Sequence, residues 1–150
     1  MTSAKVTTTP PVRLTTSRIA IAGLIAIVAS VIANLIVYFI GNMIWPPMPD
    51  FNPLATPIPT IIFTTVFLIG ATIVYWLINR FTKNPPRVFL IVAWIVFLVG
   101  LVPDFMMIIN PASSTMGTPT TGSVITLIIM HVVAFAITLW VFLRWAPSKA

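Results

Sequence analysis

Four long runs of apolar residues alternate with shorter polar segments along this chain. The runs cover about residues 19–41, 59–79, 88–109 and 123–143. A helix rises about 1.5 Å per residue, so about 20 apolar residues cross a hydrocarbon core of roughly 30 Å. The pattern therefore predicts an all-α fold, namely an integral membrane four-helix bundle made of two helical hairpins.

Pro103 interrupts the third apolar run. Proline lacks the amide hydrogen of a helix and clashes with the preceding turn, so the helix either kinks or ends there. The apolar residues Met106 to Ile109 then either continue a kinked span or lie flat at the membrane surface. We expect a helix over 88–109 that is broken near Pro103.

The segments around the runs predict two tails and a stiff loop. Residues 1–18 are rich in Thr, Ser and Pro, so we expect a disordered cytoplasmic tail. The first run is longer than the roughly 7–15 apolar residues of a cleaved signal, and we expect it to remain as an anchor. Prolines make the loop over 42–58 stiff and extended in part. The four-helix domain then covers 19–145, and residues 146–150 form a second cytoplasmic tail.

Basic residues occur before the first run, between the second and third runs, and after the last run. The other two connectors contain no Lys or Arg, so an even number of crossings places every base on one side of the membrane. By the positive-inside rule we predict a multi-pass protein of the cell inner (plasma) membrane with both termini in the cytoplasm. The topogenic charges are Arg13, Arg18, Arg80, Lys83, Arg87 and Arg144.

Composition excludes a soluble protein and changes how the charge is interpreted. Hydrophobic residues make up 59% of the chain and charged residues 7%, whereas soluble domains are roughly 25% charged. A net charge of +6 would suggest nucleic acid in a soluble domain. Here the bases flank apolar runs and meet lipid headgroups. We therefore expect the lipid bilayer as a partner and no nucleic acid.

Small residues form a stripe along the first predicted helix. Ala22, Ala26 and Ser30 recur at four-residue spacing, which places them on one helix face and lets a neighbouring backbone approach closely. We predict that this stripe packs against another helix. A related face of the third run contains Ala93, Phe97, Gly100 and Asp104.

Three polar residues lie at comparable depth in the predicted membrane. Counted from the nearest base, Asn34 lies about 24 Å in, Asp104 about 26 Å and His131 about 20 Å. Charged and polar side chains in hydrocarbon usually face the bundle interior and pair with one another. We therefore hypothesise an intramembrane polar cluster of Asn34, Asp104 and His131, in which an Asp–His pair holds or passes a proton.

Each member of this cluster also has an ordinary structural interpretation. Asp104 follows a proline near the outer surface, where it would cap a broken helix or contact water. A single histidine in a packed bundle is commonly a hydrogen-bonded core residue. Asn34 would then join two helices.

Other chemistry has little support in the sequence. One histidine cannot supply both axial ligands of a six-coordinate haem, although one ligand to haem or chlorophyll, or two from a homodimer, stays open. The chain has no cysteine, so it has no disulfide and no thiolate ligand. We find no catalytic set and expect no enzyme activity, no cofactor and no metal.

Several segments carry a family resemblance. They are "ANLIVYFIG" in the first run, "RFTKNPPRVFLIVAW" around the basic connector, "LVP" in the third run and "LIIMHVVAFAI" in the fourth. Over about residues 19–145 the chain resembles a family of small bacterial four-helix membrane proteins of unknown function. The resemblance implies that Asn34, Pro103 and His131 belong to the shared pattern, and it implies no activity.

Two functions fit these features. We favour a structural or accessory subunit that packs within the membrane against itself or a larger complex. The alternative is a small oligomeric transporter or proton-linked carrier that uses the Asn34, Asp104 and His131 cluster. A likeness to small multidrug exporters fails, because those rely on a membrane-embedded glutamate and these spans contain none.

Overall fold

The computed structural model describes residues 13–45 and 50–144. Within them it contains five α-helices and one short 3-10 helix, Pro111–Ser113. Four of the α-helices are long and apolar enough to cross a membrane. The α-helices are α1 (Thr16–Ile44), α2 (Asn52–Ala55), α3 (Pro57–Phe81), α4 (Pro85–Ile109) and α5 (Thr121–Arg144).

Helix α1 begins earlier than its apolar run indicates. The hydroxyl of Thr15 accepts a hydrogen bond from the backbone N–H of Arg18 at 3.4 Å, which caps the first turn. Thr16–Arg18 are therefore helical, and the prediction that the disordered tail extends to residue 18 is wrong for them. The rest of that tail, residues 1–12, and the tail at 146–150 lie outside the described residues.

Helix α4 passes through Pro103 without ending. Of the two alternatives for this proline, termination of the helix is wrong. Pro103 removes the hydrogen bond to the carbonyl of Val99, and both residues are exposed on the surface of the bundle. Membrane helices tolerate proline where the freed carbonyl finds another partner or local adjustment.

The four long helices run alternately in opposite directions. The start of α1 meets the end of α3 at Leu14 and Asn79, and Tyr75 near the end of α3 contacts both Phe89 of α4 and Phe142 of α5. Helix α1 packs mainly against α3 and α5, while α4 packs mainly against α5. Burial follows this order, because 33% of the most apolar window of α1 is buried and only 17% of that of α4.

The small-residue stripe of α1 lies at the centre of this packing. Ala22, Ala26 and Ser30 are buried, together with Gly23 and Gly41 of the same helix. The side chain of Thr72 from α3 occupies the space beside Gly23, and that of Thr126 from α5 the space beside Gly41. Close approach of both neighbours explains why this face carries small side chains.

The end of the bundle that contains the described chain termini is basic, and we call it the basic end. An aromatic cluster of Tyr75, Phe89 and Phe142 closes it, with ring centroids 4.8–5.2 Å apart. Asn79 forms two hydrogen bonds with the backbone of Leu14, which tie the start of the described chain to α3. All six described bases lie at this end: Arg13, Arg18, Arg80, Lys83, Arg87 and Arg144.

The opposite end, which we call the loop end, is closed by the chain's own connectors. Phe51 and Leu54 of the first connector are buried in a cluster with Tyr38 and Met130. The backbone N–H of Asn52 donates to the carbonyl of Met116 at 2.9 Å, which joins the two connectors. Part of the proline-rich loop is therefore helical, as α2, and packed against the bundle.

Candidate functional site

The structure brings together one carboxylate and one imidazole in the loop half of the bundle. Asp104 projects from α4 and His131 from α5, and the carboxylate Oδ2 lies 3.2 Å from the imidazole Nδ1. The Asp104 side chain is 5% exposed, whereas the His131 side chain is 41% exposed. The pair thus reaches from the α4–α5 contact to the outer surface of the bundle.

Aromatic packing below the pair positions α4 on α5. The rings of Phe97 and Phe135 stack at 4.3 Å with an interplanar angle of 16°. Trp94 adds an edge contact to Phe135 at 4.8 Å. Four residues separate Phe135 from His131, and seven separate Phe97 from Asp104, so each polar residue lies on the same helix face as the ring below it.

A second acceptor fixes the orientation of the His131 ring. Its Nδ1 lies 2.9 Å from the carbonyl oxygen of Leu127, one turn earlier in α5. A carbonyl and an ionised carboxylate both accept hydrogen bonds, so the arrangement favours the tautomer with the proton on Nδ1.

The Asp104 carboxylate has poorer hydrogen bonding than the His131 ring. Oδ2 of Asp104 is buried and accepts no hydrogen bond of good geometry, so its interaction with His131 is a close contact at 3.2 Å. The pair contains two basic atoms, a carboxylate oxygen and an imidazole nitrogen, that lie within reach of one proton. A carboxylate and an imidazole in this arrangement are chemically able to hold or pass one proton.

Asn34 belongs to a different contact. It is buried on α1, and its Nδ2 donates to the Oγ1 of Thr64 in α3 at 3.0 Å. No hydrogen bond or ion pair among the described residues joins Asn34 to Asp104 or His131. The hypothesised three-residue cluster is thus present as two separate pairs, one between α1 and α3 and one between α4 and α5.

Unpartnered polar atoms accompany the buried asparagine. The Oδ1 of Asn34 and the Oγ of Ser30, one turn earlier, are both buried without a hydrogen-bond partner. Thr60, one turn from Thr64, has a similarly unpartnered hydroxyl. Other threonines bond the carbonyl four residues earlier, as Thr72 does with Leu68 at 2.7 Å.

Two surface pockets at the loop end were not predicted from the positions of the polar residues. A pocket of about 350 Å³ lies between the first connector and α3, with Pro59 and Phe63 in its lining. A second pocket of about 160 Å³ contains Met106, Met107 and Met116. The only sequence signal for the second pocket is the concentration of methionine near the connectors at the loop end.

Conventional metal ligation finds no support in the described part of the chain. Residues 13–45 and 50–144 contain no group of three or more His, Cys, Asp and Glu side chains that could hold a metal ion. Within these described ranges, the Asp104–His131 pair is the one close contact between side chains of these types.

Comparison with known proteins gives a family and no activity. The searches of curated proteins and of solved structures returned no match. A family model matches residues 14–148, which include all four long helices and both polar pairs. The chain therefore belongs to DUF6069, a family of unknown function.

Proposed function

We propose that this protein is a structural or accessory subunit that packs within the membrane against another transmembrane helix. The half-exposed side chain of His131 carries this proposal. A polar ring on the outside of a span faces hydrocarbon unless protein covers it, and polar side chains in spans usually face protein. A partner helix on the α4–α5 side would cover the ring.

The exposed residues of α4 also support a partner helix on the α4–α5 side of the bundle. Most of its residues between Trp94 and Gly100 are exposed, and an added Cβ at Gly100 would meet nothing within 4 Å beyond its own helical turn. Small residues on an uncovered helix face permit close approach of a second backbone. The partner is a second copy of the chain or a subunit of a larger complex.

Cysteine cross-linking tests this proposal, because the chain contains no native cysteine. We expect a single cysteine in place of exposed Val99 on α4 to give cross-linked products in native membranes. A cysteine in place of Ile21, exposed on α1, is the matched control and should give little product. Equal cross-linking from both positions, or none from either, would contradict the proposal.

The products also identify the partner. A disulfide-linked dimer of the chain indicates self-association, whereas a heavier adduct with a second polypeptide, found with a thiol cross-linker, indicates a larger complex. For either partner we propose a non-catalytic role, with the lipid bilayer as the remaining partner.

The same proposal includes an orientation. All described bases lie at the basic end, so we place that end and both termini in the cytoplasm. The protein would then lie in the cell inner (plasma) membrane. A cysteine in place of Ser113 at the loop end should react with an impermeant thiol reagent in intact cells, and one in place of Lys83 should not. The reverse labelling would invert the orientation.

The Asp104–His131 contact favours a second candidate function, proton-linked transport by an oligomer. Its distance of 3.2 Å suits a proton shared between two side chains. In liposomes containing the purified protein, His131→Ala and Asp104→Asn should each abolish a proton flux. Asn34→Leu is the control and should retain the flux, because Asn34 bonds Thr64 instead. A flux independent of His131 would exclude this candidate.

A further inference from the structure

Two arginines meet at the basic end, where the start of the described chain lies against the end of α3. The Nη1 of Arg13 donates a hydrogen bond to the backbone carbonyl of Arg80 at 2.6 Å. Asn79 holds the same segment through its two hydrogen bonds with the backbone of Leu14. The charge of Arg13 is therefore fixed against the residue that carries a second positive charge.

Trp76 positions the guanidinium group of Arg80. The guanidinium carbon lies 5.8 Å from the centroid of the Trp76 ring, one turn earlier in α3. The Nε1 of Trp76 donates to the Oγ1 of Thr16 at 3.4 Å, so the ring joins α3 to the first turn of α1. Tryptophan at the end of a span lies at the level of the lipid headgroups. The contact therefore places the Arg80 charge at that level, beside α1.

No carboxylate of the described chain compensates these two charges. The chain contains two acidic residues, Asp50 and Asp104, and both lie in the loop half of the bundle. Within residues 13–45 and 50–144, no ion pair includes an arginine or a lysine. Like charges held close together repel each other, so an anion that contacts both guanidinium groups would lower their energy.

Capping of α3 explains only part of this arrangement. A basic side chain commonly bonds a carbonyl at the end of a helix, as Arg13 does here. That bond uses one N–H of a group that has several, and no hydrogen bond within the described ranges uses a donor of the Arg80 side chain. The remaining donors suit phosphate oxygens, which guanidinium groups bind in pairs.

The surface of α3 next to the arginines is apolar. Ile73 and Leu77 precede Arg80 by seven and three residues, so all three side chains lie on one face of the helix. Ile73 is 53% exposed and Leu77 is 40% exposed. A molecule whose phosphate contacts the arginines could thus lay a hydrocarbon chain along α3, which free phosphate cannot do.

We propose that Arg13 and Arg80 bind the phosphate of an anionic phospholipid at the junction of α1 and α3. Basic sites between transmembrane helices recognise anionic headgroups in this way. A zwitterionic phospholipid carries an ammonium group near its phosphate, and the two guanidinium groups repel that ammonium. The site therefore selects a lipid with net negative charge.

Native mass spectrometry of the full chain in detergent micelles tests this site. Phosphatidylglycerol and phosphatidylcholine with the same acyl chains are titrated separately, and we expect the chain to retain a single phosphatidylglycerol in preference. Arg13→Gln and Arg80→Gln should each weaken its binding at least about tenfold, as expected for the loss of a charge-assisted hydrogen bond. Arg80→Gln keeps the backbone carbonyl that Arg13 bonds, so this variant should fold, which circular dichroism verifies.

Arg144→Gln is the matched control. Arg144 is exposed at the same end and lies 5.4 Å from the centroid of the Trp140 ring, but no second arginine bonds its backbone in the described chain. Its loss should change the affinity less than about twofold, because salt screens a distant exposed charge.

Three results would overturn the proposal. The first is equal retention of the two lipids. The second is an equal loss of affinity in all three variants, which would indicate general surface charge. The third is displacement of the lipid by an equal concentration of inorganic phosphate, which would indicate a site for the free anion.

Discussion

Helices α1 and α4 contain the same kinds of residue in opposite surroundings. Both combine small residues with a buried polar side chain in the loop half of the bundle, Asn34 on α1 and Asp104 on α4. Threonine side chains from α3 and α5 fill the space beside Gly23 and Gly41 of α1, whereas the space beside Gly100 of α4 is open. Gly23 and Gly41 therefore lie in a packed seam on α1, whereas Gly100 lies on an uncovered surface of α4.

The polar side chains of the two helices differ in the same way. Asn34 of α1 is buried and bonds Thr64, which is also buried. Asp104 of α4 is buried, but its partner His131 reaches the outer surface. The first pair joins two helices inside the bundle, whereas the second reaches the bundle surface. Coverage by neighbouring helices, and not residue type, separates the surroundings of the two pairs.

The largest effect is expected at Gly23. Gly23→Ala places a methyl group against the side chain of Thr72, and overpacking of this kind lowers the free energy of unfolding by about 1–3 kcal/mol. Reversible unfolding in mixed micelles measures the change. If Gly23→Ala proved neutral, the close approach of α1 and α3 would be incorrect.

The Asp104–His131 pair should show the next largest effect. A double-mutant cycle with Asp104→Asn and His131→Ala isolates their interaction free energy, which we expect to be about 1–2 kcal/mol, the upper part of the range for polar contacts in membranes. Stability of the four proteins is compared in the same micelles. Additive effects would show that the 3.2 Å contact contributes nothing.

A change of opposite sign is expected at Gly100. Because the space beside it is open, Gly100→Ala should raise the free energy of unfolding of the isolated chain by about 0.5–1 kcal/mol through lower backbone entropy in the unfolded state. Gly70→Ala on α3, whose added Cβ is equally free, serves as the matched control. Destabilisation by both would remove the contrast with Gly23.

The smallest effect is expected at the Asn34–Thr64 hydrogen bond. A double-mutant cycle with Asn34→Leu and Thr64→Val should give an interaction of about 0.6 kcal/mol, the average for such bonds in membranes. A coupling larger than that of Asp104 and His131 would reverse our assignment of the two pairs.

The chain's spans follow from its sequence because hydrocarbon thickness sets helix length. The observed helices differ from the predicted ones where single residues cap or interrupt a helix. Thr15 caps α1 and adds a turn that Thr and Ser content had assigned to the tail. Pro103 lies inside α4 although proline usually ends helices in water. In a membrane, unpaired backbone N–H and C=O groups are costly, so the segment stays helical through the proline.

The site was accessible to sequence reasoning only in part. Depth counted from the bases places Asn34, Asp104 and His131 at a similar depth in the membrane, and side chains must share a depth to be in contact. A similar depth does not show which helices are neighbours. Helix α1 packs mainly against α3 and α5, so Asn34 meets a threonine of α3. The pocket lined by Met106 and Met116 depends on how a connector folds back onto α4, which periodicity does not encode.

The most direct test of the account is native mass spectrometry of the protein extracted gently from its own membrane. We predict that the wild type appears in a particle heavier than one 16.4 kDa chain. Gly100→Leu should release the single chain, because leucine blocks close approach to α4, while Gly70→Leu should leave the particle intact. A wild type that is a single chain, or a particle unaffected by Gly100→Leu, would contradict an association through α4.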